Sequence, residues 1–156
     1  YFDTRAYGNY GPVSIPVTII SAPGTPEERN CRVDFTGQVM PVRHAVSARE
    51  LEKAPVCDPM PPVVDLGKIG SLPRPVELTV MNSGRSELRV LNVWSDSPAV
   101  KVKEFPAKIK KGKSGAIRVE FNPAATVRSP FRIAVKVVTD DPVNPLKEIN
   151  LTGSIE

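Results

Sequence analysis

The sequence predicts an all-β protein, in which a seven-stranded antiparallel immunoglobulin-like β-sandwich follows the closing strands of a second, similar sandwich. Three observations favour this fold class. Short runs rich in Val and Ile alternate apolar and polar side chains with a period of two. Seventeen prolines and ten glycines separate these runs, as is typical of proteins built from strands and turns. The third observation is an internal repeat, because residues 129–156 match residues 11–39.

The repeat places apolar residues of one segment on apolar residues of the other. Upstream of it, Phe121-Asn122-Pro123 lies over Phe2-Asp3-Thr4. We therefore expect residues 1–40 to be the carboxy-terminal strands of an incomplete sandwich, with the remaining strands in polypeptide that precedes Tyr1. The matched pairs within the repeat are Pro130 with Pro12, Ile133 with Ile15, Val135 with Val17, Val137 with Ile19, Ile149 with Val33, Leu151 with Phe35 and Gly153 with Gly37.

Residues 63–156 carry the pattern of a complete sandwich of about seven short strands. The alternation of apolar and polar residues shifts by one position between Val90 and Leu91, which predicts a β-bulge. Asn82-Ser83-Gly84 is a turn cluster, in which Asn and Gly tolerate positive φ. The antibody-type Cys–Trp–Cys spacing is absent, so an aliphatic core is expected. The predicted strands are 63–69, 76–80, 88–94, 100–105, 117–121, 131–137 and 149–155.

Residues 41–62 contain five prolines and no strand alternation. We interpret them as a semi-rigid connector between the two domains. Within this connector, Ser47-Ala48-Arg49-Glu50 has the form of a capping box, which predicts one or two helical turns over 47–54.

The two cysteines do not define a disulfide framework. Cys31 lies on the same face of the predicted strand as Val33 and Phe35. We therefore expect its side chain to point into a core as a small hydrophobe. Cys57 lies in the proline-rich connector. A bridge between Cys31 and Cys57 stays open at this point, because the sequence does not give the distance between their backbones.

Bulk composition argues against several classes of function. The net charge of +4 is mild, and aromatic residues make up only 6% of the chain, so nucleic-acid binding is not predicted. No apolar run approaches the roughly 20 residues of a transmembrane helix, so no transmembrane segment is predicted in this chain.

The motifs that suggest catalysis or ligand binding have simpler interpretations. Gly112-Lys113-Ser114 resembles the end of a phosphate-binding loop, but Ala107 stands where that motif needs glycine, so a basic β-turn is predicted. His44, the sole histidine, is expected to be solvated in the connector rather than catalytic. Asp140-Asp141 fits turn formation better than weak calcium binding. We predict no enzyme, no catalytic or metal-binding residues and no cofactor.

Six lysines follow one another around a predicted hairpin. Lysines on an edge strand commonly prevent unwanted strand pairing, and this interpretation is the favoured one. The functional alternative is contact with an acidic partner or an anionic lipid head group. These candidate partner-binding residues are Lys101, Lys103, Lys108, Lys110, Lys111 and Lys113.

The second domain carries a series of turn and core motifs. They are Asp65–Ile69, Leu78-x-Val80-x-Asn82-Ser83-Gly84 followed by Leu88, Ile109-x-x-Gly112-x-Ser114-x-x-Ile117-x-Val119-x-Phe121-x-Pro123, Thr139-Asp140-Asp141-Pro142-x-Asn144-Pro145 and Leu151-x-Gly153. Together these motifs resemble an uncharacterised bacterial family of immunoglobulin-like sandwiches, common in Bacteroidetes envelope proteins. Those sandwiches are similar to hydin-type, major-sperm-protein and pilus-chaperone-like domains. Many members carry a Cys-x-Cys pair where this chain has Ser95-Asp96-Ser97-Pro98, so no metal or redox role is implied here.

This resemblance implies an extracytoplasmic location, in the periplasm or at the cell surface. Together with the sequence, it favours a non-enzymatic structural or protein-interaction module that binds by surface complementarity or by strand addition at an open sheet edge. The alternative is a carbohydrate-binding accessory module, whose aromatic platform would use Trp94, Tyr1, Tyr7 or Tyr10.

Overall fold

The computed structural model describes residues 8–42, 45–126 and 128–156 of the chain. The chain forms two compact units, which we name unit 1 (Tyr1–Met40) and unit 2 (Pro41–Glu156). In the described ranges, the structure consists of strands and their connections, apart from one short α-helix and one 3-10 turn. The predicted all-β sandwich class is confirmed.

Unit 1 is an antiparallel hairpin of β1 (Gly11–Ser21) and β2 (Arg29–Val39). Its backbone register is the same as that of the closing hairpin of unit 2. Ile15 lies opposite Phe35, and their counterparts Ile133 and Leu151 lie opposite each other. The other pairs agree as well: Val13–Gly37 corresponds to Phe131–Gly153, Val17–Val33 to Val135–Ile149, and Ile19–Cys31 to Val137–Lys147.

The apolar residues of the two hairpins differ in exposure. In unit 1, Ile19 is 55% and Phe35 60% exposed, whereas their counterparts Val137 and Leu151 in unit 2 are fully buried. The prediction that Cys31 points into a core is wrong, because its side chain is exposed. Alternation gives the face to which a side chain belongs, but burial requires a second layer over that face.

Unit 2 contains a five-stranded sheet in the order β4-β11-β10-β6-β8 and a four-stranded sheet in the order β3-β5-β9-β7. The first strands are β3 (Cys57–Pro59), β4 (Val63–Ile69), β5 (Arg74–Asn82), β6 (Leu88–Trp94) and β7 (Val100–Glu104). The others are β8 (Lys108–Ile109), β9 (Ser114–Phe121), β10 (Phe131–Thr139) and β11 (Leu146–Ile155).

Three features of unit 2 differ from the sequence prediction. In the described part of 63–156 there are eight strands rather than seven. The additional strand, β8, has only two residues and is too short to show the alternation from which strands were predicted. The pairing is not wholly antiparallel, since β4 runs parallel to β11. The region 41–62 contains a strand, β3, which pairs with β5. Its three residues, Cys57–Pro59, include a proline and cannot show alternation.

Two local predictions are confirmed. Val138 pairs with Asn92 and Thr139 with Val90, which leaves Leu91 as the extra residue of a β-bulge. The helix α1 (Ala48–Leu51) begins with the predicted capping box, in which the backbone N–H of Glu50 donates to the Ser47 hydroxyl and the Ser47 N–H donates to the Glu50 carboxylate.

The core of unit 2 lies between its two sheets and is mainly aliphatic. The rings of Phe121 and Phe131 stack with centroids 4.9 Å apart, joining β9 to β10 across the two layers. The fully buried aliphatic side chains around them include Leu78, Val80, Leu88, Ile117, Val135, Val137, Ile149 and Leu151.

The Asn82-Ser83-Gly84 segment was predicted to need residues that tolerate positive φ, but none of its residues has positive φ. Packing and hydrogen bonding explain these residues instead. Gly84 is required by close packing, since a Cβ there would lie 2.5 Å from the carbonyl oxygen of Ala54. Asn82 is fully buried, and its side chain binds four backbone groups. The segment thereby fixes residues 54–56 to the sandwich.

Cys57 and Asp141 attach the same region to the other sheet. The Cys57 N–H donates to Asp141 Oδ2 at 3.1 Å, while Asp141 Oδ1 accepts from the backbone of Val143 and Asn144. Cys57 has no exposed surface, and burial raises the pKa of its thiol to about 11. Both cysteines are free thiols, so no Cys31–Cys57 bridge is present.

Candidate functional site

The six candidate lysines lie on two strands and one turn of unit 2. Lys101 and Lys103 are on β7, and Lys108 is on β8. Lys110, Lys111 and Lys113 belong to the β8–β9 connection, and all six side chains are exposed.

These lysines do not form one continuous patch. Lys101 lies opposite Glu120, near the end of β9, whereas Lys113 immediately precedes its start. Seven residues of extended strand separate Glu120 from Lys113, which corresponds to about 23 Å. We therefore distinguish the β7 lysines (Lys101 and Lys103) from the turn lysines (Lys110, Lys111 and Lys113).

Two of the six lysines are paired with carboxylates. The Nζ atom of Lys103 lies 3.1 Å from Glu120, and that of Lys108 lies 2.8 Å from Glu87. These exposed pairs contribute at most about 1 kcal/mol each to stability. No carboxylate in the described ranges pairs with Lys101 or with the turn lysines, so their charges are available to a partner.

The β7 lysines lie on an open sheet edge, because β7 is the last strand of its sheet. The Ala99 carbonyl accepts a hydrogen bond from Asn122 on the β9 side, so the backbone groups of Val100 and Val102 point away from β9. The Val100 N–H donates to the Ser97 carbonyl at 3.2 Å, which leaves the Val100 carbonyl and both groups of Val102 at the edge. A bulge between Val102 and Glu104 interrupts the edge. Bulges and lysines both hinder indiscriminate pairing at edges.

Gly112-Lys113-Ser114 forms a β-turn, as predicted. It lies between β8 and β9, and Gly112 has φ +67. The Lys113 N–H donates to the Lys110 carbonyl, and the Gly112 N–H donates to the Asn82 carbonyl. The motif thus lacks the strand-to-helix setting of a phosphate-binding loop.

Of the Asp140-Asp141 pair, Asp141 functions in turn formation, as predicted, whereas Asp140 contacts β6. Asp140 Oδ1 accepts from the Arg89 N–H at 2.8 Å, and Asp141 organises the β10–β11 connection. Within the described ranges, no group of three His, Cys, Asp or Glu side chains is placed to hold a metal ion. His44 lies outside the described residues.

Trp94 does not form an aromatic platform. It is only 7% exposed, its Nε1 donates to Asp96 at 3.2 Å, and the Lys136 ammonium lies 6.0 Å from its ring. Tyr1 and Tyr7 lie outside the described residues, and Tyr10 is half-buried. The packing of Trp94 removes the main sequence argument for a carbohydrate-binding surface.

The structure contains a groove that the sequence did not indicate. It has a volume of about 580 Å³ and lies between the β6–β7 connection, the β9–β10 connection and the first residues of β10. Its polar and charged lining is contributed by Ser95, Asp96, Ser97, Thr126, Arg128 and Arg132. Ser95, Asp96 and Ser97 are consecutive, but the other three residues belong to a connection about thirty positions later, and only folding brings the two connections together.

No helix among the described residues has the length and apolar character needed to cross a membrane.

The comparison with solved structures supports the fold. A protein of unknown function from Porphyromonas gingivalis W83 matches 93% of this chain with 19% identity and a TM-score of 0.67, and the chain spans 66% of that protein's length. The secreted serine protease VesC of Vibrio cholerae matches 69% of the chain with 11% identity, over 24% of its own length and with a TM-score of 0.49. WR4, a C. elegans MSP family member, matches 64% with 12% identity, over 97% of its own length and with a TM-score of 0.43.

The last two similarities are too weak to support an argument, so the predicted relation to hydin-type, major-sperm-protein and pilus-chaperone-like domains stays a prediction. No curated protein matches the chain. The model of a protein family of unknown function, DUF1573, matches residues 62–155, which is more than half of the chain. The protein therefore belongs to the DUF1573 family.

Proposed function

We propose that unit 2 is a non-enzymatic protein-interaction module that binds an extended segment of a partner by strand addition at the free edge of β7. The observation that carries this proposal is the outward direction of the Val100 carbonyl and of both Val102 backbone groups on the last strand of a sheet. Main-chain hydrogen bonds at such an edge supply affinity, and neighbouring side chains supply specificity.

The lysines steer the partner in this proposal. Lys101, on β7 itself, carries a charge that no described carboxylate pairs with. Lys103 can leave Glu120 and pair with a carboxylate of the partner, because the exposed Lys103–Glu120 pair contributes little free energy. The turn lysines are about 20 Å away, so they contribute to the association rate rather than to contacts at the edge.

The proposed setting is extracytoplasmic, in the bacterial envelope. It is supported by the resemblance of the sequence to envelope proteins. We infer a spacer role as well from the proposed tandem sandwiches.

We further propose that unit 1 is the closing hairpin of a second sandwich. The shared backbone register supports this assignment, because the same hairpin in unit 2 has its apolar face covered by the other sheet. Labelling of Cys31 tests it. The thiol should react rapidly in the 1–156 chain and slowly in a chain that also carries the strands proposed to complete the sandwich, while equal rates in both would contradict the assignment.

Two charge-reversal variants test the β7 edge. Lys101→Glu/Lys103→Glu should reduce capture of an envelope partner by immobilised unit 2 at least tenfold, because repulsion acts at the docking edge itself. Lys110→Glu/Lys111→Glu/Lys113→Glu should mainly slow association. Lys68→Glu, on the exposed β4, is the matched control and should have no effect.

Unchanged capture by Lys101→Glu/Lys103→Glu would reject the β7 edge. A larger loss in the turn variant than in the β7 variant would also reject it, since it would move the contact to the β8–β9 turn. Circular dichroism and Trp94 emission verify that each variant is folded.

A further inference from the structure

Strand β10 is only partly paired on its β6 side. Strand β6 ends at Trp94, which lies opposite Lys136. The preceding part of β10, Phe131–Val135, pairs with β11 alone. A stretch of open sheet edge therefore lies inside the five-stranded sheet rather than at its outer strand.

The backbone direction along this stretch follows from hydrogen bonds nearby. The Ser95 hydroxyl, on the β6 side, donates to the Ala134 carbonyl at 2.8 Å. In a strand, alternate residues point their N–H and C=O groups to the same side. The Ala134 N–H and both backbone groups of Arg132 consequently face the β6 side, and no backbone bond from them to another described loop is present.

The open stretch forms one wall of the groove described above. Residues 95–98 form one of its sides and Ala125, Thr126, Arg128 and Pro130 form the other, where both connections cross between the sheets.

The charges at the groove favour an acidic ligand. Arg128 and Arg132 line it and form no ion pair with a described carboxylate. The Nε of Arg132 donates to the neutral Asn150 side chain. The one acidic residue in the lining, Asp96, is already neutralised by Lys136 at 2.5 Å. Guanidinium groups bind carboxylates with two parallel hydrogen bonds.

We propose that this groove binds an extended acidic peptide segment of a partner protein, which adds to β10 in the place that β6 leaves. The backbone groups of Arg132 and the Ala134 N–H would pair with the peptide main chain. The Arg128 and Arg132 side chains would bind its carboxylates.

The groove uses another strand and other cations than the β7 edge, so the two sites can be tested separately. The probe is a fluorescein-labelled peptide of alternating valine and glutamate, (Val-Glu)3, and its counterpart (Val-Lys)3 is the charge control. Binding is measured by fluorescence anisotropy, and its position by the ¹⁵N amide shifts of Arg132 and Ala134.

We expect (Val-Glu)3 to bind and to shift the Arg132 and Ala134 amides, and (Val-Lys)3 not to bind. Arg128→Glu/Arg132→Glu should weaken binding roughly tenfold or more, since it reverses both charges at the site. Arg49→Glu/Arg85→Glu, outside the groove, is the matched control and should leave the affinity unchanged.

Three results would overturn the proposal. They are an unchanged affinity in Arg128→Glu/Arg132→Glu, amide shifts confined to β7, and equal binding of both peptides. Loss of binding in Lys101→Glu/Lys103→Glu with retention in Arg128→Glu/Arg132→Glu would instead assign the peptide to the β7 edge. If Arg128→Glu/Arg132→Glu fails to fold, the amide shifts of the wild-type protein decide alone.

Discussion

Replacement of Asn82 by alanine should destabilise unit 2 more than replacement of any exposed polar residue. The Asn82 side chain donates to the carbonyls of Ser86 at 2.8 Å and Ile109 at 2.9 Å. It also accepts from the N–H groups of Gly84 at 3.0 Å and, more weakly, Val56 at 3.4 Å. One side chain thus joins three segments of the chain at a fully buried position.

The magnitude follows from these four contacts. A hydrogen bond contributes about 1 kcal/mol net, and a buried group left without a partner costs about 1–3 kcal/mol. The truncation leaves two carbonyls and two N–H groups without their partner, and one of these four bonds is weak. We therefore expect the free energy of unfolding to fall by about 3–5 kcal/mol. The free energy of unfolding of a single domain is only about 5–15 kcal/mol. The melting temperature should fall by roughly 10–20 °C.

Urea unfolding, followed by the emission of Trp94, measures this loss. Trp94 is the sole tryptophan and is buried in unit 2, so it reports on this unit. Asn150→Ala is the control, because the Asn150 side chain accepts from the exposed Arg132, and a change below about 1 kcal/mol is expected. A loss below about 1 kcal/mol in Asn82→Ala would refute the reasoning.

The Asn82→Asp variant distinguishes the hydrogen bonds that the Asn82 side chain accepts from those that it donates. A carboxylate keeps the acceptors for Gly84 and Val56 but opposes the carbonyls of Ser86 and Ile109 with negative charge. It should therefore destabilise unit 2 at least as much as alanine at pH 7, and partly recover on acidification. Full stability of this variant would show that the donor contacts are unimportant.

Three other outcomes are expected. Gly84→Ala should lower the urea midpoint strongly, because its Cβ would meet the Ala54 carbonyl, while Gly70→Ala, which has open space around it, should not. A thiol reagent should modify Cys31 within the folded 1–156 chain and Cys57 only on unfolding; equal rates would contradict the burial of Cys57. Finally, the raised pKa of Cys57, about 11 against the usual 9.0, favours the protonated thiol in the folded state. The stability that this provides, about 2–3 kcal/mol, is complete below pH 9 and lost as pH approaches 11, and Cys57→Ala should abolish that part of the pH dependence.

Much of the local structure followed from the sequence. The bounds of β4 and β6 agree with the predicted 63–69 and 88–94, because their turns and alternation mark both ends. The bulge at Leu91 and the capping box at Ser47 were also predictable, since each depends on residues a few positions apart.

The candidate sites were much less predictable. The lysines are adjacent in sequence, yet β9 separates the β7 lysines from the turn lysines by its own length. The groove at β10 is formed by two connections about thirty residues apart in sequence, and neither carries a motif. Charge runs describe sequence neighbours, whereas binding surfaces consist of neighbours in space.

The sequence by itself determined the all-β class, the strand faces and the internal repeat, because alternation and turn residues act over short distances. Only the tertiary structure decided which faces are buried and which edges stay open. Pairing of β4 with β11, burial of Cys57 and exposure of Cys31 all depend on layers formed by distant segments. The repeat shows this most directly, because the same register produces a buried face in unit 2 and an exposed face in unit 1.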